Sequence, residues 1–333
     1  MRLTTKKVRH IARMIDTIIE EYKEEAPSRK RDWRTYEQRT TERLRKAFQE
    51  LSPLVKEATQ TLTVIDAEKK GNKPKLNPEQ KVITLLLSRL LQKSNRNMAT
   101  MMIIFSWLTG VSVSYKTVER LYSDEKVILT LNNLHRLILK KRGVTAAECS
   151  GDGTGYALTI KMHYASHAQK LKENPKECRK TKVVFSFALM DLQSRMYIGY
   201  GTSMKSENEA FHQAIELAEQ TGIGVNSVRL DKYYSTQSRA KLLQKSFGDL
   251  KIYLIPKTNA TLDGPQAWKS MLMEFTTDTK GFLKEYFQRN QSESSIAEDK
   301  KRTGWKLGQK REDRIITADF CTLIWHNLSW LYS

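Results

Sequence analysis

The spacing of apolar residues changes its period near residue 143, and that change restricts the chain to a mixed architecture. Residues 1–140 show little β-branched alternation, with Pro27, Pro53, Pro74 and Pro78 as breakers, which is a helical pattern. It is sharpest from Asn77: Pro78 suits the first turn of a helix reaching about Lys93, with Val82, Leu85, Leu86, Leu90 and Leu91 inward. A second helix follows Asn95 and ends near Leu108. The Thr109-Gly110-Val111 turn comes next, then a third helix that starts at Ser112 or Ser114, either of which suits an N-cap,. Residues 126–141 predict a linking helix. Beyond Gly143 the apolar runs shorten to strand length, at 144–149, 182–192, 196–202, 227–230 and 251–256. Helical patterns at 208–221, 237–247 and 282–301 alternate with the later ones. Strand, strand, strand, helix, strand, helix, strand, helix predicts an antiparallel meander followed by right-handed crossovers into a mixed five-stranded sheet. In that order the first and fourth strands are neighbours.

Those two strands carry acids. Asp231 directly follows the run at 227–230, and Asp152 follows the weaker run at 144–149. Both read as acids at the C-terminal ends of buried strands. A third acid, Glu293, lies in Tyr286-x2-Arg289-x3-Glu293-x6-Lys300. On a continuous helix these four residues fall at about 0°, 300°, 340° and 320°. One face then carries a phenol, a guanidinium, a carboxylate and an ammonium group. The plain alternative is a solvated amphipathic helix with i,i+4 charge pairs. Three converging carboxylates, however, are hard oxygen donors suited to two Mg²⁺ ions. Arg, Lys and Tyr beside them suit phosphate oxygens.

The charge balance points the same way. Among 333 residues the formal net charge is +20, which favours a polyanionic partner. A ribosomal or generally adhesive protein has a similar balance, but here the excess is spread along the chain. Residues 29–46 form a basic run with Trp33 and Tyr36 interleaved; it reads either as a solvated face or as a DNA contact. In the third helix Ser114, Tyr115, Lys116, Thr117 and Arg120 face outward while Val118 and Leu121 face inward. Helix, glycine turn and short polar helix read as a helix-turn-helix that recognises DNA, although the same geometry occurs in plain bundles. The three cysteines Cys149, Cys178 and Cys321 have no CxxC spacing, so a reducing cytoplasm is expected, with the protein at the nucleoid. No signal peptide is read at the charged N-terminus, and no apolar stretch approaches membrane-spanning length.

The Tyr-x2-Arg-x3-Glu-x6-Lys spacing, with Asp152 and Asp231 upstream, resembles the signature of a large family of DDE transposases from bacterial and archaeal insertion sequences. The resemblance covers roughly residues 145–333. It implies that Asp152, Asp231 and Glu293 form the catalytic, metal-binding triad for two Mg²⁺ (or Mn²⁺) ions. It also implies that Tyr286, Arg289 and Lys300 contact transposon-end phosphates. The order of elements matches a ribonuclease H-like fold. The expected organisation is a basic helical region at 1–76, a helix-turn-helix region at 77–143 and a ribonuclease H-like catalytic domain at 144–333. Some family members carry a β-rich insertion before the Glu; about sixty residues separate Asp231 from Glu293 here, too few for it. The implied activity is cleavage and strand transfer of double-stranded DNA at terminal inverted repeats, by a dimer. A two-metal nuclease or resolvase, or a domesticated DNA-binding protein, are the rivals.

Other residues read as structural. Asp191 sits in a hairpin turn at 191–195, where Asp is favoured for backbone reasons. Glu298 and Asp299 point away from Glu293 on the wheel and are expected in solvent. His163, His167 and Cys178 lack the ligands and context of a zinc site; the basic loop around them (Lys161 to Lys180) is expected near the DNA backbone. Trp268 and Trp305 could stack on a frayed base, but core packing is the expected use of both. Trp325, Leu328 and Trp330 are expected in the core.

Overall fold

The structure is a computed structural model, and it describes residues 3–25, 32–62, 75–109, 112–158 and 183–333. The turn expected at Gly110-Val111, the basic loop with His163, His167 and Cys178, and the start of the basic run at 29–31 lie outside the described residues.

Among the described residues six helices precede the sheet: α1 (Thr5–Glu25), α2 (Trp33–Gln60), α3 (Pro78–Leu90), α4 (Asn95–Thr109), α5 (Tyr115–Leu121) and α6 (Glu125–Arg142). Local chemistry sets their starts. Asn77 and Gln80 form a reciprocal capping box on α3, with Pro78 in the first turn,. Ser114, the second of the two expected caps, accepts from Thr117 N and starts α5. Asp124 caps α6,.

The sheet is mixed, in the order β3-β2-β1-β4-β5. Strands β1 (Ala146–Leu158), β2 (Val183–Asp191) and β3 (Tyr197–Ser203) form the antiparallel meander; β4 (Gly224–Arg229) and β5 (Lys251–Tyr253) run parallel to β1 and its neighbour. A short β6 (Lys306–Leu307) pairs with the far end of β1. This mixed α+β arrangement is compatible with a ribonuclease H-like fold. Asp191 holds the hairpin as expected, accepting from Ser194 N at 2.7 Å, Ser194 Oγ at 2.6 Å and Glu148 N at 3.2 Å.

Helix α7 (Glu207–Thr221) lies very close to β3. A Cβ on Gly199 or Gly201 would meet Ala214 O at 2.2 Å or Ala210 O at 1.9 Å, so only glycine permits this approach. After β4 come α8 (Gln237–Phe247), β5, α9 (Gln266–Thr277), α10 (Thr279–Tyr286), α11 (Asn290–Thr303) and α12 (Glu312–Trp330). The helix expected over 282–301 is broken: residues Phe287–Arg289 form a 3₁₀ turn between α10 and α11. The single helical wheel drawn for Tyr286 to Lys300 therefore does not apply.

Helix α12 is buried almost all round. Trp325 and Leu328 are in the core, as expected, and Trp325 Nε1 donates to Leu86 O at 2.8 Å. Asn327 bonds both backbone groups of Tyr197. The early helices also reach the rest of the chain. Arg9 Nε donates to Ala260 O at 3.0 Å, and Tyr22 stacks on Phe287. Arg43 lies over Trp330, 4.1 Å from the ring centre, and pairs with Glu298 at 3.2 Å. Glu298 and Asp299 are consequently not in solvent. Asp299 accepts from Tyr197 Oη at 2.6 Å and Arg302 Nη1 at 2.8 Å, and bonds His326 Nδ1 at 2.9 Å. The α11 face that the wheel assigned to water is the one α2 and α12 cover.

Candidate active site

Asp152 is not at a strand end. β1 continues through it to Leu158, and Asp152 pairs with Ala188 on the β2 side. On the other side β4 stops: the last pair is Ser150 with Arg229. Two residues on from that pair, Asp152 is level with Asp231, which caps the 3₁₀ turn Lys232–Tyr234. The two acids thus share one level at the point where β4 leaves the sheet. That is the convergence expected of neighbouring first and fourth strands.

Arg289 joins the third acid to them. Its Nη1 lies 2.6 Å from Glu293 Oε1 and its Nη2 3.6 Å from Asp231 Oδ1. Burial alone would lower the Arg289 pKa, but Tyr286, Glu293, Asp231 and Asp152 together hold it above its ordinary value. Arg289 Nε is buried without a hydrogen-bond partner. Asp152 responds in the opposite sense. Its carboxyl is pushed up from 3.8 to about 6, first by burial, then by the charges of Glu293 and, more weakly, Asp231,.

Tyr286 is buried beneath Arg289, whose guanidinium lies 5.3 Å from the ring centre. In this arrangement Tyr286 supports the guanidinium, and Arg289 is the cation paired with Asp231 and Glu293. Lys300 Nζ donates to Gly155 O at 3.0 Å and lies 5.2 Å from the Tyr156 ring centre. Its pKa is lowered, chiefly by burial, while Asp319 and Asp152 oppose that shift.

Sequence reasoning missed two residues here. Arg229 is buried, donating to Glu285 O at 3.1 Å and Ser227 Oγ at 2.7 Å and pairing with Glu285 and Glu148. It ties the end of β4 to α10, the helix leading into Arg289. Glu207, in the first turn of α7, accepts from Tyr234 Oη. Its carboxyl presses on the strand beside Asp152: a Cβ on Gly153 would stand 2.5 Å from it. The only local signal was the Ser206 cap that opens α7 after β3.

The acids suit a divalent cation in donor type, and the Asp152 carboxyl is raised first by burial and then by the charge of Glu293. Among the described residues, however, no group of three acidic, His or Cys side chains is closed tightly enough to ligate one ion. Arg289 occupies the space between Asp231 and Glu293.

The expected recognition residues lie apart from the acids, on α5. Tyr115, Lys116 and Arg120 are exposed, with Val118 and Leu121 buried. Glu119 pairs with Lys116 at 3.0 Å and with Arg314 of α12 at 2.5 Å. No described helix is long and apolar enough to cross a membrane.

No family model and no solved structure matches the chain significantly. A curated relative from Archaeoglobus fulgidus, a probable transposase for insertion sequence element ISA1214, is 39% identical over 329 residues, covering 98% of this chain and 96% of its own length. At that identity and coverage, the chain belongs to the insertion-sequence transposase family of this relative.

Proposed function

We propose that the protein is a DDE transposase that binds the terminal inverted repeats of its own element and cleaves and rejoins DNA there. The observation that carries this reading is the meeting of Asp152, Asp231 and Glu293 around the single guanidinium of Arg289 where β4 leaves the sheet. Carboxylates held in mutual repulsion in a half-buried site suit metal-bound phosphate chemistry better than a structural role. Asp152, Asp231 and Glu293 are the residues that would hold Mg²⁺ or Mn²⁺. When bound, two such ions supply a lowered water pKa and stabilise the leaving oxygen.

Arg289 and Lys300 have roles of their own. Arg289 offsets the acids in the resting protein through its Nη1 and Nη2 groups, the fork by which a guanidinium would also hold a phosphate. Lys300, its ammonium pinned by Gly155 O, presents a second positive charge to the same strand. Exposed Tyr115, Lys116 and Arg120, with Ser114 and Thr117, are the base-reading face of a helix-turn-helix, and a ribonuclease H-like sheet presents the acids. Two ends must be joined, so the active complex is a dimer on double-stranded DNA at the nucleoid.

The test is Mg²⁺-dependent nicking of DNA carrying the element's ends, beside a gel-shift assay. Asp152→Asn, Asp231→Asn and Glu293→Gln are each expected to abolish nicking while leaving DNA binding near normal. Full nicking by any one of them would remove that acid from the site.

A further inference from the structure

A second feature adjoins Lys300. Its ammonium stands 5.1 Å from the ring centre of Trp305, and Trp305 is 59% exposed, not packed in the core as expected. It follows Gly304 at the end of α11, where only the short β6 continues the sheet. Trp305 is one wall of a groove of about 790 Å³ between the α3–α4 turn and the β6 segment. Arg89, Lys93, Arg96, Lys306 and Lys310 line the groove, and no acidic side chain does among the described residues. Tyr115 of α5 closes the far end, with the Arg96 guanidinium 5.3 Å from its ring centre.

Arg89 makes this groove more than a basic surface. It is 5% exposed, donates from Nε to Thr322 Oγ1 and from Nη1 to Lys306 O, each at 3.1 Å, and leaves Nη2 buried without a partner. Buried Asp319 feels its charge, yet the two form no ion pair. An orphaned guanidinium N–H at the wall of a groove whose charged side chains are all basic calls for an anion,.

We propose that this groove holds a single DNA strand, with its phosphates on Arg89, Lys93 and Arg96 and a base stacked on Trp305. Basic walls around an exposed aromatic face are the chemistry of unpaired nucleotides, because paired bases hide the faces that stack. The groove also runs from the α5 helix to Trp305, which stands beside Lys300. It rests on the proposed function only for the source of the strand: DNA opened at the site of cutting.

The experiment measures anisotropy of a labelled oligothymidylate of about ten nucleotides on the full chain, in EDTA and at several salt concentrations. Trp305→Ala is expected to weaken binding roughly tenfold or more, with Trp305→Phe retaining most of it. Lys93→Ala and Arg96→Ala should each flatten the salt dependence. Arg89→Lys keeps the charge but loses the fork, and should bind several-fold more weakly; thermal melting checks its fold. If it does not fold, the exposed Trp305 and Lys93 positions carry the test. Binding by Trp305→Ala within about twofold of the parent, or equal losses on a duplex of the same length, would overturn the proposal. Because cleavage is not measured, the two readings fail separately. Trp305-dependent binding without any Mg²⁺-dependent nicking keeps this site and removes the catalytic reading, and nicking with Trp305-independent binding does the reverse.

Discussion

Asp152 costs the folded protein stability at neutral pH. Its carboxyl rises from 3.8 to about 6 on folding, so the folded state holds its proton more tightly than the unfolded chain. The cost is absent below the unfolded value, where both states are protonated. It grows as pH rises from about 4 to 6 and is fully present above that, on the order of 1–3 kcal/mol. Asp152→Asn removes it. In EDTA at pH 7.5 the variant should melt several degrees above the parent, and the gap should close toward pH 4. A parent and variant that melt together at pH 7.5 would mean that neither burial nor the neighbouring acids penalise the Asp152 charge. The same substitution is expected to abolish nicking, so stability and activity oppose each other at this residue.

At the scale of elements, α5 is fixed in place by its inner side. Val118 and Leu121 are buried, and Glu119 is held by Arg314, which leaves Arg120 exposed. If α5 enters the major groove, Arg120→Ala should weaken binding to end DNA by about 1–3 kcal/mol while the melting temperature stays unchanged. Gel shifts on end and scrambled duplexes decide it: equal losses on both would assign Arg120 to phosphate contact, and no loss on either would keep α5 out of the groove. The break at Phe287–Arg289 belongs to this scale too. The wheel reading placed Tyr286, Arg289, Glu293 and Lys300 on one face, yet Tyr286 is buried under Arg289. The spacing still brings Arg289 to Glu293, because Arg289 is the N-cap of α11 and Glu293 lies one helical turn on, beyond the break,.

At the scale of the molecule, the early helices and the sheet share one continuous core that includes Val8, Leu54, Leu86, Leu131, Phe187 and Trp325. Helix α12 depends on α3, through Trp325 to Leu86 O and Arg89 to Thr322. A fragment of residues 144–333 would expose the apolar face of α12. It is expected to lack a cooperative melting transition and to bind a hydrophobic dye, where the full chain melts cooperatively. A sharp melt from that fragment would show that the sheet folds alone.

The sequence by itself determined the order of the first five strands, their neighbours and hence the convergence of Asp152 and Asp231, because apolar period and turn chemistry are local signals; the helix Gln266–Thr277, the short β6 and the break at Phe287–Arg289 it did not show. It also located Glu293, Arg289 and Lys300. Only the tertiary structure decided which of these groups are buried. The sequence has no local sign that β4 ends two residues short of Asp152's level, or that Glu207 presses on Gly153 from α7. Nor does it tell that α2 covers the Glu298 side of α11, or that Trp305 stands out of the core beside an unpartnered Arg89. Burial and electrostatic environment are set by elements far away in the chain, and the period of one segment carries no information about what packs against it.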